Sequence, residues 1–76
     1  MSTWHYQLVQ HATGTDHPYV ALHEVYRDEH GVIDMWTHDP VDFIGDTAPE
    51  VVDALQTALN DAQGRPVIDE KDLPAQ

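Results

Sequence analysis

Six histidines, His5, His11, His17, His23, His30 and His38, are spread through the first half of this 76-residue chain. Imidazole is a common metal ligand, and its charge changes near neutral pH. The densest set of ligand types is His23-Glu24-Val25-Tyr26-Arg27-Asp28-Glu29-His30. It departs from the H-E-x-x-H helix motif, because Arg27 stands where the second histidine would be and the stretch reads as strand and turn. In a strand, His23 and Val25 face one way and Glu24 the other, so sequence neighbours are not co-ligands. No two histidines are paired at ligand spacing. The expectation is therefore surface and partly packed histidines with no metal site and no cofactor, and a metal-binding protein stands only as an alternative.

Other chemistry finds less support. There is no cysteine, so thiolate nucleophiles, thiolate metal sites and disulfides are excluded. Ser2, the only serine, sits at the terminus. Thr37-His38-Asp39 are adjacent along the chain, which is the wrong arrangement for three convergent side chains. Gly14, Gly31, Gly45 and Gly64 are each isolated, so no phosphate loop is present. Acids are plentiful, but a carboxyl with a raised pKa needs a pocket that a chain this short has little room to build. The expectation is a protein that is not an enzyme.

Charge is the strongest compositional fact. Fourteen acids against three bases give a formal charge of −11. Such a surface repels phosphate backbones and anionic lipid headgroups, which argues against direct nucleic-acid or membrane partners. One reading of the acidity is solubility. The other is attraction to a basic protein surface, extending to imitation of a nucleic acid. Protonating all six histidines would take the formal charge from −11 to −5, so binding through acidity should weaken toward mildly acid pH. Absence of disulfides favours the cytoplasm. The start, Met1-Ser2-Thr3-Trp4-His5, lacks the basic and apolar regions of a signal peptide, and no apolar run is long enough to span a membrane.

These residues need elements to position them. Trp4 to Gln10 alternates Trp4, Tyr6 and Leu8 with His5, Gln7 and Val9, the pattern of a half-buried strand. His11 to Pro18 is rich in turn formers. Tyr19 to Arg27 reads as a second strand. Asp28-Glu29-His30-Gly31 reads as a turn, with Gly31 supplying a positive φ. Val32 to His38 returns as a third strand that Pro40 ends. Thr47-Ala48-Pro49-Glu50 fits a capping box, with Thr47 bonding the Glu50 backbone and Glu50 reaching back to Thr47. Val51, Val52, Leu55, Ala58, Leu59 and Ala62 then recur at helical spacing as the inward stripe, and Gly64 and Pro66 stop the helix. Val67 and Ile68 suit a short final strand. The expected fold is α+β: a three-stranded antiparallel meander followed by one helix on one face, within a single domain over residues 1–68, with residues 69–76 a polar tail.

Register decides which residues meet. Pairing Arg27 with Val32 puts Leu22, Tyr26, Ile33 and Met35 on one face and His23, Val25, Val32 and Trp36 on the other. One amphipathic helix covers one face. The other face would then be left as an apolar contact surface. The expected interaction face is Trp36, His23, Val25 and Val32, with an acidic rim of Asp28, Glu29, Asp34 and Asp39. The apolar centre would supply affinity for a second copy or another protein, and the rim would steer a basic partner.

The run Ala21-Leu22-His23-Glu24-Val25-Tyr26, Asp28-Glu29-His30-Gly31, Trp36-Thr37 and Asp39-Pro40-Val41 is similar to a group of small uncharacterised bacterial proteins that share an LHEVY-x-DE-x-G…WT-x-x-PV pattern. The likeness covers most of the chain and implies one domain of β-meander plus helix, with no activity to carry over. Gly45-Asp46-Thr47 resembles the step into the helix of the small domain of HicB-type antitoxins. Pro49 departs from the acidic run usual there, and this chain has no length for their DNA-binding segment, so antitoxin function is an alternative. Small acidic phage-encoded inhibitors, anti-CRISPR proteins among them, share the size and charge but no motif. The reading is a small, non-enzymatic, homodimeric interaction module of the cytoplasm.

Overall fold

The computed structural model describes residues 3–75; Ser2, and Gln76 of the expected tail, lie outside the described residues. The element order is β1 (Thr3–His11), β2 (Tyr19–Arg27), β3 (Ile33–Trp36), α1 (Ala48–Gly64), β4 (Ile68–Asp69) and a 3-10 turn (Glu70–Asp72). The first three strands form the antiparallel meander. β4 adds to the free edge of β1 in parallel, giving the order β3-β2-β1-β4. The fold class is the expected α+β.

Each local device has a visible cause. In the β2–β3 turn, the Asp28 carboxylate accepts from the backbone N–H groups of His30 (2.8 Å) and Val32 (3.0 Å). Gly31 takes a φ of +79°, which a side chain would disfavour. Tyr26 pairs with Met35 and Arg27 with Ile33, so Asp34 is the extra residue of a bulge. Val32 therefore sits in the turn, 59% exposed and on neither strand face. At the helix start, Thr47 accepts from the Glu50 N–H. The Glu50 carboxylate reaches one residue further back than a capping box requires, to the N–H of Asp46 at 3.1 Å.

The stripe that α1 buries differs from the expected one. Val51, Ala54, Asp61 and Ala62 are half-buried and Ala58 is buried, whereas Val52 (60%), Leu55 (47%) and Leu59 (50%) are exposed. The helix packs against β1 through small residues. This brings the Asp61 carboxylate within 3.0 Å of the Tyr6 N–H. β4 pairs only with Val9 and Gln10, so earlier N–H groups on that edge of β1 need another acceptor, and Asp61 supplies one. The larger side chains lie one helical step to the side, facing away from the sheet.

Residues 69–75 do not form a frayed tail. Gln7 donates through Nε2 to the Pro66 carbonyl (2.9 Å), Glu70 bonds His11, Leu73 is buried, and Trp36 donates through Nε1 to the Pro74 carbonyl (2.9 Å). The segment crosses the side of the sheet that carries Gln7, His11 and Trp36. The Leu73 anchor, the Glu70 carboxylate and the Pro74 carbonyl hold a stretch whose composition reads as polar, with the Pro66 carbonyl tied down just before it.

Candidate functional site

Cross-strand pairs place His5 opposite Val25, Gln7 opposite His23, Val9 opposite Ala21 and His11 opposite Tyr19, with Trp36 continuing beside Val25. Directly opposed residues share a face. This face is the buried one: His5, Gln7, Val9, His11, His23 and Val25 are all at or below 8% exposure. Three imidazoles and an amide sit on this buried face, so each polar atom needs a partner.

The partners form chains. His5 Nε2 lies 2.9 Å from Gln7 Oε1, and the Gln7 amide nitrogen spends a proton on the Pro66 carbonyl. His11 and His23 meet Nε2 to Nε2 at 2.8 Å, above Ala21, whose methyl leaves them room. On their outer sides, His23 Nδ1 lies 2.9 Å from the Thr37 carbonyl and His11 Nδ1 lies 2.9 Å from Glu70 Oε2. The Tyr19 ring stacks on His11 (4.8 Å between centroids, 10° between planes), and Trp36 meets His23 edge to face at 5.1 Å.

The partners fix where the ring protons of this pair sit. A carbonyl only accepts, so His23 Nδ1 carries a proton. The N–H of Ala12 on Oε1, together with the His11 ring, holds the Glu70 carboxyl below its ordinary range, so it is an ionised acceptor and His11 Nδ1 also carries a proton. One further proton must lie between the facing Nε2 atoms, or two lone pairs would meet. Burial pushes His23 below the usual imidazole range despite its bond to Thr37, which suits its Nε2 to accept across the pair. The hydrogen-bonded unit runs from the Glu70 carboxylate through His11 and His23 to the Thr37 carbonyl. Burial likewise pushes His5 down.

His11 and Glu70 open onto a cleft of about 460 Å³, walled by Tyr19, Trp36, Leu73 and Pro74 and edged by His38 and Asp39. Among the described residues, no three His, Asp or Glu side chains converge as metal ligands, and no helix is long and apolar enough to cross a membrane.

The sequence-derived interaction face is thus partly assembled but not open. His23, Val25 and Trp36 do share a side of the sheet, yet His23 and Val25 are 0% exposed, with the Trp36 ring against His23 and the Pro74 carbonyl tied to Trp36. The acids of the expected rim scatter. Asp28 spends its carboxylate on the turn, Glu29 stands in solvent 3.5 Å from His30, Asp34 is the bulge residue, and Asp39 alone borders the cleft. Sequence reasoning named His5 and His11 only among six candidate metal ligands and did not single out Gln7, Glu70 or Leu73. The alternation His5-Gln7-Val9-His11 was the available signal, for it already put both histidines on one side of β1.

No family model, curated protein or solved structure matches this chain.

Proposed function

We propose that this protein is a small acidic, non-enzymatic interaction module of the cytoplasm that pairs with a second copy through the outer stripe of α1. The observation that carries this is the helix's inverted packing: Ala54, Ala58 and Ala62 face the sheet while Val52, Leu55 and Leu59 face solvent at 47–60% exposure. Burying an aliphatic side chain is worth about 1.5–3 kcal/mol, so three left out on one stripe favour a contact that covers them.

Charge favours a second copy as the occupant. In a chain with a formal charge of −11, the stretch from Ala54 to Asn60 contains no charged residue. Two such helices can cross antiparallel about a twofold axis with Leu55 and Leu59 near its centre, keeping Glu50 and Asp53 at the rim. Sedimentation equilibrium tests the reading. The expected mass is twice 8.6 kDa, little changed by high salt, and Leu55→Asp with Leu59→Asp should return it to 8.6 kDa with the circular dichroism unaltered. A wild-type monomer at high concentration, or a dimer indifferent to both aspartates, contradicts it.

A second reading, docking on a basic protein surface, is supported by the acids that remain exposed, among them Asp34, Asp39, Asp42, Asp46 and Asp53. That contact would weaken steeply with salt, whereas the dimer would not.

A further inference from the structure

We propose that the His11–His23 pair is an acid-sensitive latch: a second positive charge on the pair lifts residues 70–74 off the sheet and uncovers Trp36. The geometry leaves room for one excess proton and not for two. With His23 neutral, its Nε2 accepts from His11 across 2.8 Å. Protonating that atom would set two N–H groups head to head, with two cationic rings 4.9 Å apart. His23 is 0% exposed, so water cannot solvate the added charge in place.

The groups facing the pair come from every neighbouring element. Glu70 lies on the 3-10 turn, and Asp69 immediately precedes it. Asp39 and His38 stand at the cleft edge beyond β3. Tyr19 stacks from β2, Trp36 packs from β3, and Gln7 lies opposite His23 on β1. Among the described residues, Glu70 is the carboxylate that bonds the pair, and it does so at His11 Nδ1, on the far side from His23. Asp39 is solvent-exposed and acts on His23 only through space, the last and smallest of the influences on that ring. A second charge is therefore relieved only by separating the rings. Two ties of the C-terminal segment run through those same residues, Glu70 to His11 and the Pro74 carbonyl to Trp36, whose ring rests on His23, while the Ala12 N–H on Glu70 and the buried Leu73 hold it elsewhere. Separating the rings loosens both ties. The latch is independent of the helix stripe and of self-association.

The test uses the full chain with Trp4→Phe, so that emission reports Trp36 alone. Acrylamide quenching, emission maximum and far-ultraviolet circular dichroism are followed from about pH 7.5 to about pH 5, the range in which a histidine changes charge. The expected result is a severalfold rise in quenching and a red shift, with circular dichroism unchanged and the midpoint coinciding with protonation of His23 in nitrogen-15 spectra of the ring. His23→Gln keeps a donor for Thr37 and an acceptor for His11 but does not titrate, so in that background the transition should vanish. A transition that persists in His23→Gln overturns the proposal. So does protonation of His23 with no change at Trp36, a reading made on the Trp4→Phe protein whether or not the glutamine variant folds.

Discussion

The two sides of the sheet are finished in different ways. One carries His5, Gln7, Val9, His11, His23 and Val25 and is sealed by residues 66–74. The other carries Trp4, Tyr6, Leu8, Tyr26 and Met35. Phe43 meets Tyr6 there at 6.1 Å between ring centroids, but Trp4 (50%) and Met35 (55%) stay half in water. The greasier side is the more open one. Burial in a chain this small follows where backbone can be laid, and here it is laid where acceptors are: Pro66, Glu70, Thr37 and Pro74 each offer an oxygen to a side chain below. The polar side tolerates burial because its groups are paired, which makes it specific and also vulnerable.

That contrast orders the expected effects of mutation. The largest belongs to His23→Ala, which opens a cavity and leaves the Thr37 carbonyl and the His11 proton without a partner; it should cost about 3 kcal/mol in urea denaturation. Val25→Ala, on the same side at 0% exposure, should cost about 2 kcal/mol. Met35→Ala on the open side should cost about 1 kcal/mol or less, since half its surface is already in water. Leu59→Gln should change monomer stability by no more than about 0.5 kcal/mol while abolishing self-association. A Met35→Ala cost matching that of Val25→Ala would erase the contrast between the two sides.

Acid should act on the sealed side first. The folded state lowers His5 and His23 below the unfolded value of 6.5. Near pH 6 the unfolded chain thus binds more protons, so stability is full above about 6.5 and is lost as pH falls through the lower folded values. Asp69 and Glu70 are also lowered, from 3.8 and 4.5, so their contribution is present above those values and lost only at lower pH. Urea midpoints should therefore decline in two stages on acidification, the first removed in large part by replacing His5 and His23 with glutamine.

Much of the frame was legible in residue types. Asp28 and Gly31 announced the hairpin, Thr47 and Pro49 the helix start, and Gly64 its end, because each acts on backbone within a few residues. The site was less legible. His23, Val25 and Trp36 were grouped correctly by the two-residue period, but whether their side was open depended on Glu70 and Leu73, more than thirty residues on. No local rule links a lone leucine among acids to a histidine on the first strand. On the helix, periodicity located an apolar arc but not which half of it would dock. Asp61, whose carboxylate accepts from the Tyr6 N–H, lies on the docked half with the alanines.

Diethyl pyrocarbonate, which acylates accessible neutral imidazoles, reads the sealed side directly. At neutral pH, His17 and His30 should be modified rapidly, while His5 (6% exposed) and His23 (0%) should stay unmodified until the protein is unfolded. Modification of either buried histidine at the rate of His17 in the folded protein would contradict the account of a polar side closed by the C-terminal segment.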